Sequence, residues 1–152
     1  MTPIIDVDPD WQARLDSSRI STRVWETDFR YHTVKYESIF SGGVGRDGGI
    51  RRVDDPVPTD IASADEWIGP IEPVIVLEIG DAARAYPLQI MTWHEIVNDE
   101  LAGVPVTVTF CPLCNSAIVF DRRLDGIVYD FGVSGNLRNS GLIMWDRQTE
   151  SW

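Results

Sequence analysis

From residue 74 onward the sequence is punctuated as short β-prone runs separated by turn signals, a rhythm that leaves room for little besides strands and brief helices. Val74 to Ile79 is a β-branched apolar run, Gly80-Asp81 supplies a two-residue turn, and Ala82 to Tyr86 returns, which reads as a hairpin. Pro87 suits the first position of a helix, and Leu88 to Trp93 can make one or two turns. His94 to Leu101 then reads as a strand that turns at Ala102-Gly103 and pairs with Val104 to Phe110. There Val104, Val106, Val108 and Phe110 alternate with Pro105, Thr107 and Thr109, giving one apolar and one polar face. Ala117 to Phe120 is again β-prone, Asp125-Gly126 marks a hairpin leading into Ile127 to Phe131, and Leu142 to Trp145 is a further strand. Between them Gly132 to Gly141, rich in Gly, Ser and Asn, reads as a loop. The expected fold is mainly β (α+β): an antiparallel sheet with short helices that could close toward a barrel.

The upstream half is less regular. Met1 to Phe40 mixes polar residues with Trp11, Trp25, Phe29, Tyr31 and Tyr36 and reads as an ordered arm, with Ile4 and Ile5 as a first strand. Ser41 to Asp60 holds five glycines followed by Pro56 and Pro58, the composition of a long surface loop. Ser63 can cap a short helix, with Glu66 three residues later as in a capping box. At 152 residues the chain suits a single domain, with an arm and loop over about 1–73 and a β core over about 74–152. The formal charge of −11 repels nucleic acid and anionic membrane surfaces, and the pairs Arg51-Arg52 and Arg122-Arg123 are too short to offset it. No apolar run approaches a membrane span and Met1 to Asp10 lacks the pattern of a secretory signal, so a cytoplasmic location is the default.

Chemistry points to Cys111-Pro112-Leu113-Cys114. A Cys-x-x-Cys turn brings two sulfurs close enough for a reversible disulfide or a shared metal, and Pro112 stiffens the link. In thioredoxin-like enzymes the motif opens a helix, whereas here the β-prone Ala117-Ile118-Val119-Phe120 follows, which argues against that fold. A closed zinc site takes four Cys or His ligands, and only His32 and His94 can complete the set. Cys111, Cys114, His94 and His32 are therefore the candidate ligands of a zinc or copper ion. Redox thiols, metal ligands and a plain structural disulfide or inert thiols all stay open at this point. His94 is a ligand, a base that activates a thiol, or an ordinary hydrogen-bonded histidine. Asn139, Ser140, Asp146 and Arg147 are candidates to line a pocket, with a turn held by local side-chain bonds as the plainer reading. The six tryptophans could wall a ligand cavity or simply fill the core.

The segments Ala85-Tyr86-Pro87-Leu88, Trp93-His94-Glu95-Ile96-Val97-Asn98-Asp99, Gly103-Val104-Pro105-Val106 and Phe110-Cys111-Pro112-Leu113-Cys114 together resemble the bacterial and archaeal family known as domain of unknown function 3179. The resemblance extends upstream through Thr27-Asp28-Phe29, His32-Thr33-Val34 and Ser41-Gly42-Gly43. Downstream it runs through Phe131 to Gly135 and on to Asp146-Arg147-Gln148-Thr149-Glu150-Ser151. That family carries no established activity. Some members are described as selenoproteins, which implies a cysteine position that tolerates selenium and so favours redox or soft-metal chemistry; it also raises the standing of His94 and, less, of His32. Arg51 and Arg52 stand where the family tends to have a Pro-rich Asp-Gly-Ile loop, and Gly141 where an acidic residue is common. Relatives usually continue beyond the segment matching Gln148 to Trp152, which implies a chain truncated at its C-terminus. The combined expectation is an oxidoreductase-like domain, thiol- or metal-dependent. In it Cys111, Cys114 and His94 carry the chemistry, and Trp93, Asn139, Ser140 and Asp146 contact a small-molecule or thiol substrate. The alternative is a non-catalytic module that binds a small ligand and has a structural Cys-x-x-Cys.

Overall fold

In chain order the elements of this computed structural model, which describes residues 7–152, begin with α1 (Trp11–Ser17), a 3-10 turn at Tyr36–Ser38, β1 (Phe40–Ser41), β2 (Val53–Asp54) and α2 (Ile61–Ala64). They continue with β3 (Val74–Ile79), β4 (Ala82–Pro87), α3 (Leu88–His94), β5 (Ile96–Leu101), β6 (Val104–Cys111) and β7 (Ser116–Asp121). The last are β8 (Arg123–Leu124), β9 (Ile127–Val128), β10 (Phe131–Arg138) and β11 (Gly141–Asp146). The expected strand at Ile4 and Ile5 lies outside the described residues. The fold is mostly β with few short helices, and its pairings are antiparallel except where β2 runs parallel to β5. The strands form separate sheets, ordered β2-β5-β6-β7, β1-β10-β11, β3-β4 and β8-β9, and among the described residues none closes into a barrel.

The hairpins fall where the turn residues put them. Ile79 pairs with Ala82 across Gly80-Asp81, Leu101 with Val104 across Ala102-Gly103, and Leu124 with Ile127 across Asp125-Gly126. One face of β6 packs Val106, Val108 and Phe110 against Val97, Met91 and Tyr86, with Ile75, Leu77 and Ile79 of the β3-β4 hairpin closing over them. Here burial of branched and aromatic side chains supplies the main stabilisation. The other face departs from expectation: Thr107 and Thr109 are buried as well, because β10 rests against β5 and β11 against β6. Thr109 meets the demand of burial by donating its hydroxyl to the Ile118 carbonyl at 2.8 Å.

Three other expectations are corrected. Asp60, not Ser63, caps α2, its carboxylate accepting from the Ser63 amide at 2.9 Å. His94 ends α3 instead of starting β5; Glu95, at φ 58°, makes the change of direction. The stretch Gly132 to Gly141 is not one loop: residues up to Arg138 belong to β10, with a register shift between Val133 and Leu137, Asn139 and Ser140 form a turn, and Gly141 begins β11. Its glycines serve close approach. A Cβ on Gly132 would meet the Trp145 indole, and one on Gly135 (φ 77°) would collide with the Val44 carbonyl. The glycine-rich 42–50 segment thereby docks on β10: Gly42 donates to the Gly135 carbonyl at 2.7 Å, and Asp47 exchanges bonds of 3.0 Å with the Val133 backbone.

The two larger sheets are joined through Asn98. Its side chain is 1% exposed. Nδ2 donates to the Phe131 carbonyl and to Asp54, both at 2.8 Å, while Oδ1 accepts from the Phe131 amide at 3.1 Å. One amide group thus imitates a neighbouring strand. A separate clasp ties the arm to the C-terminal segment. Trp25 packs edge-on to Trp145 and Trp152, and the Arg46 guanidinium lies 3.9 Å over the Trp145 ring while bonding Glu150. Glu150 also accepts from the Glu26 amide. Three of the six tryptophans thus build this clasp.

Replacing Asn98 by Ala leaves the Phe131 amide and carbonyl without partners, and should cost on the order of 3 kcal/mol in chemical denaturation. Gly80→Ala meets no neighbour and should cost only about 1 kcal/mol for its left-handed backbone. Gly135→Ala adds a collision with backbone and should cost clearly more. Equal losses at the two glycines would contradict the docking of the 42–50 segment on β10.

Candidate functional site

Cys111 closes β6 and pairs with Ser116, the first residue of β7, so the Cys-x-x-Cys segment is the connection of a β-hairpin. Pro112 sets the first bend, and Asn115 takes the left-handed conformation at φ 48° that lets the chain return. The Cys114 amide donates to the Cys111 carbonyl at 3.1 Å. This brings the two Cα atoms to 5.2 Å, within the span a disulfide bridges, and the sulfurs are paired. The two cysteines differ in access. Cys111 is 2% exposed, Cys114 is half-buried, and Leu113 between them stands 71% exposed at the tip.

Beside this turn lies a cavity of about 220 Å³. Pro112 and Leu113 form one side. Val44 and Ile50 of the glycine-rich segment, Val133 of β10 and Ile143 of β11 contribute apolar wall. Thr92, Asn136 and Glu95 are its polar side chains, and Glu95 is the one ionisable group among the lining residues. Three stretches that the sequence marks separately, the glycine-rich loop, the cysteine turn and the Gly132 to Gly141 segment, therefore converge on one space.

Glu95 is the residue that sequence reasoning missed. It is 9% exposed; its carboxyl makes no hydrogen bond among the described residues, and its oxygens remain within reach of water. Burial pushes its proton affinity above that of an ordinary glutamate, because it removes part of the water that stabilises the charged form. Its backbone is held on both sides: the amide donates to Met91 at 2.7 Å, and the carbonyl accepts from Phe110, next to Cys111, at 2.8 Å. A sequence signal does exist. The junction Trp93-His94-Glu95-Ile96-Val97 puts a charged residue where helical spacing gives way to a buried strand, a position with no obvious access to water.

The other expected site residues are dispersed. His94 donates Nδ1 to the Arg51 carbonyl at 2.5 Å, and it lines neither cavity described here. His32 lies with the arm, its Nδ1 bonded to the Val34 carbonyl at 2.8 Å, beside a second cavity of about 440 Å³ walled by Phe29, Tyr31, Tyr36 and Trp152. Among the described residues no three His, Cys, Asp or Glu side chains are grouped to hold a metal, so Cys111, Cys114, His94 and His32 are not assembled as a ligand set. Trp93 is 75% exposed on α3. Asn139 and Ser140 are exposed, both left-handed, and form the turn between β10 and β11. Asp146 is buried, with its carboxylate spent on the Gln148, Thr149 and Ser151 amides and the Thr149 hydroxyl. Arg147 bonds Asp54 at 3.0 Å. Local turn chemistry accounts for Asn139, Ser140 and Asp146.

Comparison with protein-family models matches residues 47–152 to a family described as a protein of unknown function, DUF3179. No curated protein and no solved structure matches the chain. No helix is long and apolar enough to cross a membrane among the described residues.

Burial of Glu95 has a consequence for stability. Its folded affinity for the proton exceeds the unfolded one, so the burial penalty is absent below the ordinary glutamate range, grows as pH rises through that range, and is complete above the folded value. Glu95→Gln should therefore raise the denaturation midpoint at about pH 8 and leave it nearly unchanged at about pH 3. A gain that is the same at both pH values would show that the carboxyl is not penalised by burial.

Proposed function

The chain belongs to DUF3179, a protein family of unknown function, and from the arrangement of its own cysteines we propose that it carries out thiol–disulfide exchange through the Cys111–Cys114 pair. The observation that carries this reading is the asymmetry of the pair: Cys111 is sealed at a strand end, while Cys114 is half-buried in a turn whose Pro112 and Leu113 line a cavity. An incoming thiolate attacks the sulfur of Cys114, the S–S bond breaks, and Cys111 leaves with the electron pair. A second substrate thiol then attacks the mixed disulfide, releases the Cys114 thiolate and departs as the oxidised substrate. Run backward, Cys111 resolves the mixed disulfide and regenerates the pair. The partner in this reading is a small-molecule or protein thiol. In a reducing compartment such a disulfide turns over and is not a permanent staple. The metal-dependent form needs ligands that the described residues do not group, which favours the thiol form.

A second reading, a small-ligand-binding module with a structural disulfide, draws on the 440 Å³ aromatic-walled cavity beside His32. One set of measurements separates the two. In dithiothreitol redox buffers the first predicts reversible release of two thiols, counted by a chromogenic thiol reagent. It also predicts that Cys111→Ser, treated with glutathione disulfide, accumulates a mixed disulfide on Cys114 and that Cys114→Ser abolishes exchange. A pair that native protein does not open in such buffers, with Cys114→Ser altering stability alone, would leave only the binding module.

A further inference from the structure

Breaking the Cys111–Cys114 bond places a negative charge on the more deeply buried sulfur. Cys111 is sealed in the fold, and a thiolate formed there is destabilised unless a proton reaches it. The period-two alternation puts Cys111 on the side of β6 that carries Thr107 and Thr109, opposite Phe110 and the apolar core, and this is the side on which β10 and β11 lie. Glu95 reaches the same side. Its left-handed backbone breaks the alternation of β5 while its carbonyl still accepts from Phe110, the neighbour of Cys111, and it shares the cavity with Pro112 and Leu113 of the turn and with Val133 and Ile143 of β10 and β11.

We infer that Glu95 is the proton carrier for Cys111, donating to its sulfur when the disulfide opens and accepting from it when the disulfide reforms. The inference rests on the exchange reading above. In the reducing direction the substrate thiolate bonds to Cys114, the electron pair of the S–S bond goes to Cys111, and the Glu95 carboxylic acid gives up its proton, leaving a thiol and a carboxylate. In the reverse direction the carboxylate takes the Cys111 proton, the Cys111 thiolate attacks the mixed disulfide at Cys114, and the substrate leaves as thiolate. The electrons come from the substrate thiols alone.

Three observations favour this role over a structural one. The carboxyl has no hydrogen bond to keep among the described residues, whereas Asp99, also buried, is bound by Tyr86 at 2.7 Å and by Arg84. The cavity holds no competing ionisable group. The neighbouring charged groups are engaged elsewhere: Arg46 with Glu150, Asp47 with Arg52, His94 with the Arg51 carbonyl, Arg138 with Ser38 and Asp146 with the 148–151 turn. Burial shifts the Glu95 carboxyl toward its protonated form, the form a donor needs.

The test compares native protein, Glu95→Gln and Glu95→Asp in stopped-flow reduction by dithiothreitol and reoxidation by its cyclic disulfide across pH. Native protein should show an inflection in the rate–pH profile assignable to a carboxyl. Glu95→Gln should lose that inflection and slow by about a hundredfold, and Glu95→Asp should recover part of the rate. Native protein that exchanges while Glu95→Gln matches it in rate and profile would overturn the inference and leave the exchange reading standing; native protein that does not exchange ends both. Where Glu95→Gln does not fold, carboxyl carbon NMR on labelled native protein decides. The Glu95 titration should move between the disulfide and dithiol forms, and an identical titration in both overturns the coupling.

Discussion

The side chain of Asn98 holds the architecture together. Two sheets meeting face to face ordinarily rely on interdigitated apolar side chains, yet this junction carries a buried amide that answers the backbone of Phe131 with both its donor and its acceptor. The second Nδ2 proton goes to Asp54, which also binds Arg147 and lies beside Arg52. Strand β2, the start of β10 and the end of β11 are therefore indexed to a single residue of β5. Because β5 follows directly from Glu95, the same anchoring fixes the cavity against the cysteine turn.

Fixed backbones on all sides make the cysteine site asymmetric. The ladder from Val106 to Cys111 carries one sulfur into the interior, and the hairpin connection carries the other back toward the surface within three residues. A longer loop would have left both equally open. A helix after the motif, as in thioredoxin-like folds, would have stabilised a thiolate through its dipole; a strand has almost no dipole to offer. A buried carboxyl beside the turn can fill that gap by supplying a proton where a helix would supply field.

Much of this was legible in the residues. Gly80-Asp81, Ala102-Gly103 and Asp125-Gly126 announced their hairpins because turn chemistry is local, and the alternation of Val104 to Phe110 announced β6 because period two is local as well. What escaped was decided by partners distant in sequence. Gly132 and Gly135 look like loop residues until Trp145 and the Val44 carbonyl occupy the space a side chain would need. Thr107 and Thr109 look like a solvent face until a second sheet covers them. Asp146 looked like a pocket residue, and its carboxylate instead organises the six residues that begin with it. Glu95 drew no notice beside the more conspicuous His94, since burial of an acidic side chain is invisible until the fold is known.

The clasp of Trp25, Arg46, Trp145 and Glu150 joins positions more than a hundred residues apart. On a ribosome that adds residues one by one, Trp25 emerges long before Trp145 and Trp152 exist, so it stays bare until they do. Closing so large a loop carries a high entropic cost and comes late in assembly. The arm is thus a latch thrown after the sheets are built, and a nascent chain caught before that moment offers chaperones the Trp25 indole to hold.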